Sequence, residues 1–202
     1  MKLYYVPGAC SLAPHIALRE AGLAFEIDKM DPATRRTTDG EDYLKVNSKG
    51  SVPALRLDNK EVLTEVAVIL QYIADQKPEA GLAPAAGRLE RYRLAEWLNY
   101  ISSELHKQLG PFFNPKLPSE WRENQLNLLA KRFDIFAARL KNQPYLMGNS
   151  FTVADAYLFV VLNWTNLFKL DMSKWPTLTD YLGRIAARPA VQAALKAEGL
   201  AT

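Results

Sequence analysis

The sequence predicts a small α/β domain followed by an all-helical one. Two observations carry this: within the first 76 residues strand-like and helix-like stretches run in the order strand, helix, strand, then strand, strand, helix, and beyond residue 87 every apolar pattern has helical spacing. A third is the stretch between them, KPEAGLAPAAG at 77–87, rich in Pro, Gly and Ala and without a hydrophobic period, which marks a boundary. The predicted organisation is a domain at residues 1–80, a linker at 81–87 and a helical domain at 88–202.

The 202 residues are 49% hydrophobic, enough for a core in each part. One cysteine makes no internal disulfide, and two histidines, His15 and His106, form no metal-ligand cluster, so no metal and a reducing, cytoplasmic setting are expected. The apolar run at 3–6 is too short for a signal peptide and that at 156–162 too short for a membrane span. The net charge of +3 divides into 10 basic and 12 acidic side chains in residues 1–80 against 15 and 10 in the remainder. A solvated basic surface or attraction for small anionic ligands both fit. No stretch interleaves basic and aromatic residues as a nucleic-acid strip would.

In chain order, residues 2–6 read as a strand that Pro7 and Gly8 break, and 12–21 as a helix stopped by Gly22, with Pro14 tolerable in its first turn. Ser11 is a candidate cap. Residues 25–29 alternate as a half-buried strand, 31–42 have loop composition, and 54–57 turn through Asp58-Asn59-Lys60 into 61–63 as a hairpin. The helix at 65–76 carries Val68, Ile69, Tyr72 and Ile73 as its apolar stripe. The crossover pair is expected parallel and the hairpin antiparallel, a thioredoxin-like order. In the second part, Leu94, Leu98, Ile101 and Leu105 recur at helical spacing up to Gly110-Pro111. Helices follow at 118–141, at 152–170 (apolar nearly all round, hence central), at 175–188 and at 190–198.

Four places suggest chemistry. Cys10 sits at the first helix entrance, where free N–H groups and the helix dipole favour a thiolate and a lowered pKa; the alternative is a small buried hydrophobe. Val52-Pro53 opens a strand; with a cis bond the Val52 backbone would be free to pair with an extended peptide, and an ordinary trans proline is the alternative. Glu65 and the backbone of Val66 at the next helix entrance could hold the ammonium and carboxylate of an α-amino acid head group, unless Thr64 caps the helix and Glu65 only complements its dipole. Asn99, Ser103 and His106 form one polar helical stripe, either a solvated face or part of a site.

The segments PGACSLAPHIALREAG, NSKGSVPALRLD, LTEVAVILQYIAD, EWLNYISSELHK and SFTVADAYLF, in this order over nearly the whole chain, resemble the cytosolic glutathione transferases, most closely their bacterial beta class. The resemblance implies an α/β thioredoxin-like N-terminal domain that binds glutathione. It also implies an all-α helical C-terminal domain that supplies most of the pocket for a small hydrophobic electrophile, and a homodimer. Glutathione is the co-substrate, with no metal, nucleic acid or membrane.

By the same resemblance Cys10 faces the glutathione sulfur, with Ser11 its neighbouring hydroxyl, and Cys10, Ser11 and His106 are the catalytic candidates. Val52 pairs with the cysteinyl part beside a cis Pro53, Glu65 and Val66 hold the γ-glutamyl group, and Arg35 meets the glycyl carboxylate. Asn99, Ser103, Glu104 and His106 line the site from the second domain, some across the dimer. Val66 departs from the Ser or Gly of many relatives, and Thr152 to Asp155 matches the buried capping box. Three functions follow: glutathione conjugation; thiol–disulfide exchange through Cys10, limited to single-cysteine chemistry; or non-catalytic binding of hydrophobic anions among Phe112, Phe113, Tyr157 and Trp164.

Overall fold

A central strand with no polar face organises the first part of the molecule. The computed structural model describes residues 1–200. β1 (Lys2–Tyr5) buries Leu3 against one face of the sheet and Tyr4 against the other. It pairs in parallel with β2 (Glu26–Asp31), Leu3 opposite Ile27, and antiparallel with β4 (Ala54–Arg56), Leu3 opposite Leu55. β5 (Val62–Thr64) closes the hairpin on β4, and the two-residue β3 (Arg36–Thr37) edges β2, giving the order β3-β2-β1-β4-β5. The segment read as plain loop thus contains β3, and the short helix α2 (Tyr43–Val46) follows it, capped by Asp42 Oδ1 on the N–H of Leu44. α2 covers the face on which Tyr4, Met30, Tyr43, Val46 and Ala54 pack.

The opposite face carries α1 (Leu12–Glu20) and α3 (Val66–Gln76), both beginning at the end of the sheet where Cys10 and Glu65 lie. α1 buries Leu12 to Leu18 without a break because it is covered twice, by the sheet and by the helices of the second part. Pro14 falls where the amide would have no intrahelical acceptor, so the helix tolerates it.

The second part opens with α4 (Leu89–Tyr100), which continues as a π-helix over Ile101–His106, then α5 (Lys107–Leu109) and a 3₁₀ turn at Gly110–Phe113. α6 (Ser119–Leu140) starts after Pro118, and α8 (Pro176–Ala186) and α9 (Pro189–Ala197) both open with proline in the first turn. α7 (Val153–Leu167) is buried along almost its whole length and packs on α1, α3 and α8. Its start is fixed by Asp155, whose carboxylate accepts from the N–H and hydroxyl of Thr152 at 2.9 Å each, from Leu146 N–H at 2.8 Å and from the Tyr181 hydroxyl at 3.1 Å. No helix among the described residues is long and apolar enough to cross a membrane.

Candidate active site

A cleft of about 500 Å³ opens where the N-termini of α1 and α3 face the π-helix and α7. Cys10 lies at its floor, 8% exposed, with Sγ 3.4 Å from the Val52 carbonyl. The backbone N–H groups of Cys10 and Ser11 do favour a thiolate, as the helix entrance predicts, but burial outweighs them and pushes the thiol up to about 12. The expectation of a lowered Cys10 pKa is therefore reversed: the cysteine is a protonated thiol. Ser11 neither caps α1 nor reaches the cleft. Its buried hydroxyl turns back to the N–H and carbonyl of Val6, 3.2 Å each, tying off the β1–α1 turn.

The Val52-Pro53 bond is cis, and both residues line the cleft. Glu65, not Thr64, occupies the N-cap position of α3, with φ of 70°, a region that favours glycine. Its side chain makes no cap; it reaches Lys49 Nζ at 2.7 Å, which also donates to Thr64 Oγ1 at 2.9 Å. Val66 is the first residue of α3, its side chain buried and its backbone at the helix N-terminus. Arg35 does not line the cleft: its Nη1 donates to the Gly50 carbonyl at 2.6 Å, and a Cβ at Gly50, whose φ is +69°, would collide with that guanidinium. Lys49 does line the cleft, and sequence reasoning passed over it because a lysine in a polar turn reads as solvated.

The facing wall is made by Ser102, His106 and Lys107 from the π-helix and α5, and by Tyr157 from α7. Ser102 and His106, four residues apart, share the cleft face, and because the π-helix turns fewer degrees per residue than an α-helix, His106 leaves the face of Asn99 and Ser103 that 100° steps would give it. Asn99 and Ser103 are consequently exposed and outside this chain's cleft, and Glu104 turns to Arg132 of α6, 2.6 Å from Nη2. Burial, with Lys107 nearby, lowers His106 to about 4, so the imidazole is neutral. Its Nδ1 meets the Tyr157 hydroxyl at 2.7 Å, and Trp164 packs edge-on against it at 5.0 Å between centroids. Phe113, half-exposed, extends this aromatic surface through Trp164 and Phe168, while Phe112 is buried and stacks on Phe168.

The turn bearing Cys10 is clamped by the second part of the chain. Gly8, with φ +72°, donates its N–H to Glu198 Oε2 at 3.0 Å and accepts at its carbonyl from Trp164 Nε1 at 2.9 Å. Glu198 Oε1 is 2.8 Å from His15 Nδ1, and Arg19 Nε donates to His15 Nε2 at 3.0 Å. An arginine only donates, so Nε2 accepts and Nδ1 carries the hydrogen given to Glu198. Sequence reasoning left His15 unassigned, although a histidine on the apolar side of a helix signals a buried partner. A second groove of about 460 Å³, between α4 and α6 at Trp97, Tyr100 and Ile135, has no thiol and no helix entrance. No group of three His, Cys, Asp or Glu side chains among the described residues could hold a metal ion.

A five-stranded mixed sheet of this order, with two helix entrances and a cis-proline converging on one cleft and a helical second part above it, places the protein in the thioredoxin-fold class with an appended helical domain. Residues 8–76 match the model of the glutathione S-transferase N-terminal domain and residues 100–189 that of the C-terminal domain. The chain is 45% identical to glutathione S-transferase GstA of Escherichia coli O157:H7, covering 99% of this chain and all of that one. A sphingomonad glutathione S-transferase solved with glutathione superposes with a TM-score of 0.95 at 51% identity, over 100% of both chains. The beta-class glutathione S-transferase of Sphingomonas chungbukensis does so with a TM-score of 0.95 at 52% identity, over 99% of this chain and 100% of that one. The chain belongs to the glutathione S-transferase family.

Proposed function

We propose that this protein joins the thiolate of glutathione to small hydrophobic electrophiles. The observation that carries this reading is the convergence on one cleft of the Cys10 turn, the Val52-Pro53 turn and the α3 entrance at Glu65-Val66. Such an arrangement suits a γ-glutamyl tripeptide. Its ammonium pairs with Glu65, its α-carboxylate meets the N–H of Val66, its cysteinyl backbone pairs with Val52, and its sulfur comes to Cys10. Lys49 takes the glycyl carboxylate in preference to Arg35, which is committed to Gly50. The electrophile lies toward His106, Tyr157, Trp164 and Phe113.

In the reaction the glutathione sulfur loses its proton to solvent, attacks the electrophilic carbon, and the leaving group departs with its electron pair. A protonated Cys10 donates a hydrogen bond to that sulfur rather than competing as a second thiolate. The raised Cys10 pKa also favours conjugation over disulfide exchange, which needs the Cys10 thiolate.

The chain divides into residues 1–80, a linker at 81–87 and residues 88–202, and works as a homodimer in the reducing cytoplasm. The exposed Asn99 and Ser103, beside the groove at Trp97, Tyr100 and Ile135, suit a face that meets a second copy and completes its cleft. A glutathione-dependent turnover survey over aryl halides, mixed disulfides and dehydroascorbate-like acceptors tests the reading. Conjugation supports it, disulfide reduction alone favours exchange, and saturable binding without turnover favours a carrier. Light scattering that finds a fully active monomer at micromolar concentration removes the dimer.

A further inference from the structure

The imidazole of His106 has one hydrogen-bond partner among the described residues, the hydroxyl of Tyr157, 2.7 Å from Nδ1. Tyr157 is 1% exposed, and its ring stands perpendicular to the imidazole at 5.9 Å between centroids. The indole of Trp164 presses on the same imidazole, so the ring is held by two side chains of α7. Between a phenol and a neutral imidazole the phenol is the better donor and the unprotonated ring nitrogen the better acceptor, so the Tyr157 O–H points to Nδ1. Ser102 lines the same cleft.

We propose that Tyr157 is a positioning residue that fixes His106 as the Nε2–H tautomer, so that His106 offers the cleft a neutral hydrogen-bond donor and not a base. The proposal rests on the conjugation reading for its consequence, not for its geometry. A donor without charge stabilises a bound thiolate and leaves the electrophile a surface free of a second cation. It also keeps its role across neutral pH, since burial holds the ring unprotonated well below that range. His15 supplies an internal contrast: Arg19 donates to its Nε2, so its hydrogen is on Nδ1, and the two histidines of the chain hold opposite tautomers.

The test is nitrogen-15 NMR of the whole protein labelled at histidine, with and without Tyr157→Phe, alongside steady-state kinetics. The wild type is expected to show one Nε2–H and one Nδ1–H histidine. In Tyr157→Phe the His15 signals should persist, reporting an intact fold, while those of His106 move to a tautomer mixture. The conjugation kcat is expected to fall about tenfold with KM for glutathione within about twofold, and ionisation of the bound thiol, followed by thiolate absorbance, to move to higher pH. Two Nδ1–H histidines in the wild type would overturn the proposal. So would a Tyr157→Phe protein whose His106 tautomer and kcat are unaltered. A wild type that conjugates nothing would defeat the functional reading, while the wild-type spectrum still decides the tautomer.

Discussion

Lys49 Nζ lies 2.7 Å from Glu65 Oε1, so the carboxylate assigned to a ligand ammonium already holds an ammonium of the protein's own. Both side chains are more than half exposed, at 57% and 63%, and such a pair is worth at most about 1 kcal/mol. A ligand can displace it cheaply. Glu65→Ala is expected to weaken glutathione binding by about 1.5–3 kcal/mol, the scale for losing a hydrogen bond to a charged group. Lys49→Met should move the dissociation constant by no more than about fivefold, because release of Glu65 opposes loss of a carboxylate partner. Isothermal titration of both variants decides it; an unchanged constant for Glu65→Ala would misplace the γ-glutamyl group.

Cys10 is expected to alkylate slowly. With the thiol near 12 instead of about 8.5, the thiolate fraction at neutral pH is roughly three thousandfold smaller than that of a free cysteine. Iodoacetamide labelling followed by mass spectrometry should show rates far below those of free cysteine and still rising above pH 9. Cys10→Ala should retain substantial conjugating activity and lose any disulfide exchange; equal loss of both would make the Cys10 sulfur essential to conjugation.

The His106 shift predicts a pH dependence of stability. The folded state holds the imidazole unprotonated down to about 4, whereas the unfolded chain takes up a proton near 6.5. Between these values the unfolded state binds more protons, so stability falls as pH falls, with a slope approaching about 1.4 kcal/mol per pH unit from this group. Urea titrations at successive pH values should flatten over this window in His106→Asn. An identical slope in the variant would remove the assignment.

Asp155 should be the most sensitive polar position away from the cleft. Four donors converge on a buried carboxylate whose desolvation raises its pKa, so removal strands the N–H groups of Leu146 and Thr152 inside the protein. Asp155→Ala is expected to cost at least about 3 kcal/mol, and Thr152→Ala about 1 kcal/mol. Chemical denaturation measures both, and the kcat of the folded fraction should be unaffected.

The order of elements was legible because strands buried on both faces, hairpin turns and helical stripes are local patterns, as in LYY at 3–5 and the apolar run of α7. β3 and α2 escaped because two-residue and four-residue elements within polar sequence have no period to detect. At the site, the placement of Cys10, Val52, Glu65 and Val66 followed from helix and strand ends. The second-domain wall did not, because the π-helix resets the face that a stripe presents, exchanging Asn99 and Ser103 for Ser102. The charge state of Cys10 was misjudged for another reason. Its position in sequence displays the helix-end donors, while the burial that outweighs them depends on the fold.

The peptide of Gly8 is held at one end by Trp164 and at the other by Glu198, 190 residues further along the chain. The cysteine turn is thus secured only once segments far apart in sequence have come together. A chain can pair β1 with β2 and lay down α1 while the Gly8 N–H still lacks its acceptor, and one that stops between residues 164 and 198 would carry every cleft residue and the Trp164 donor yet leave that N–H without Glu198. Docking of α9 is therefore registered at the cysteine turn, through the carboxylate of the residue that ends the helix.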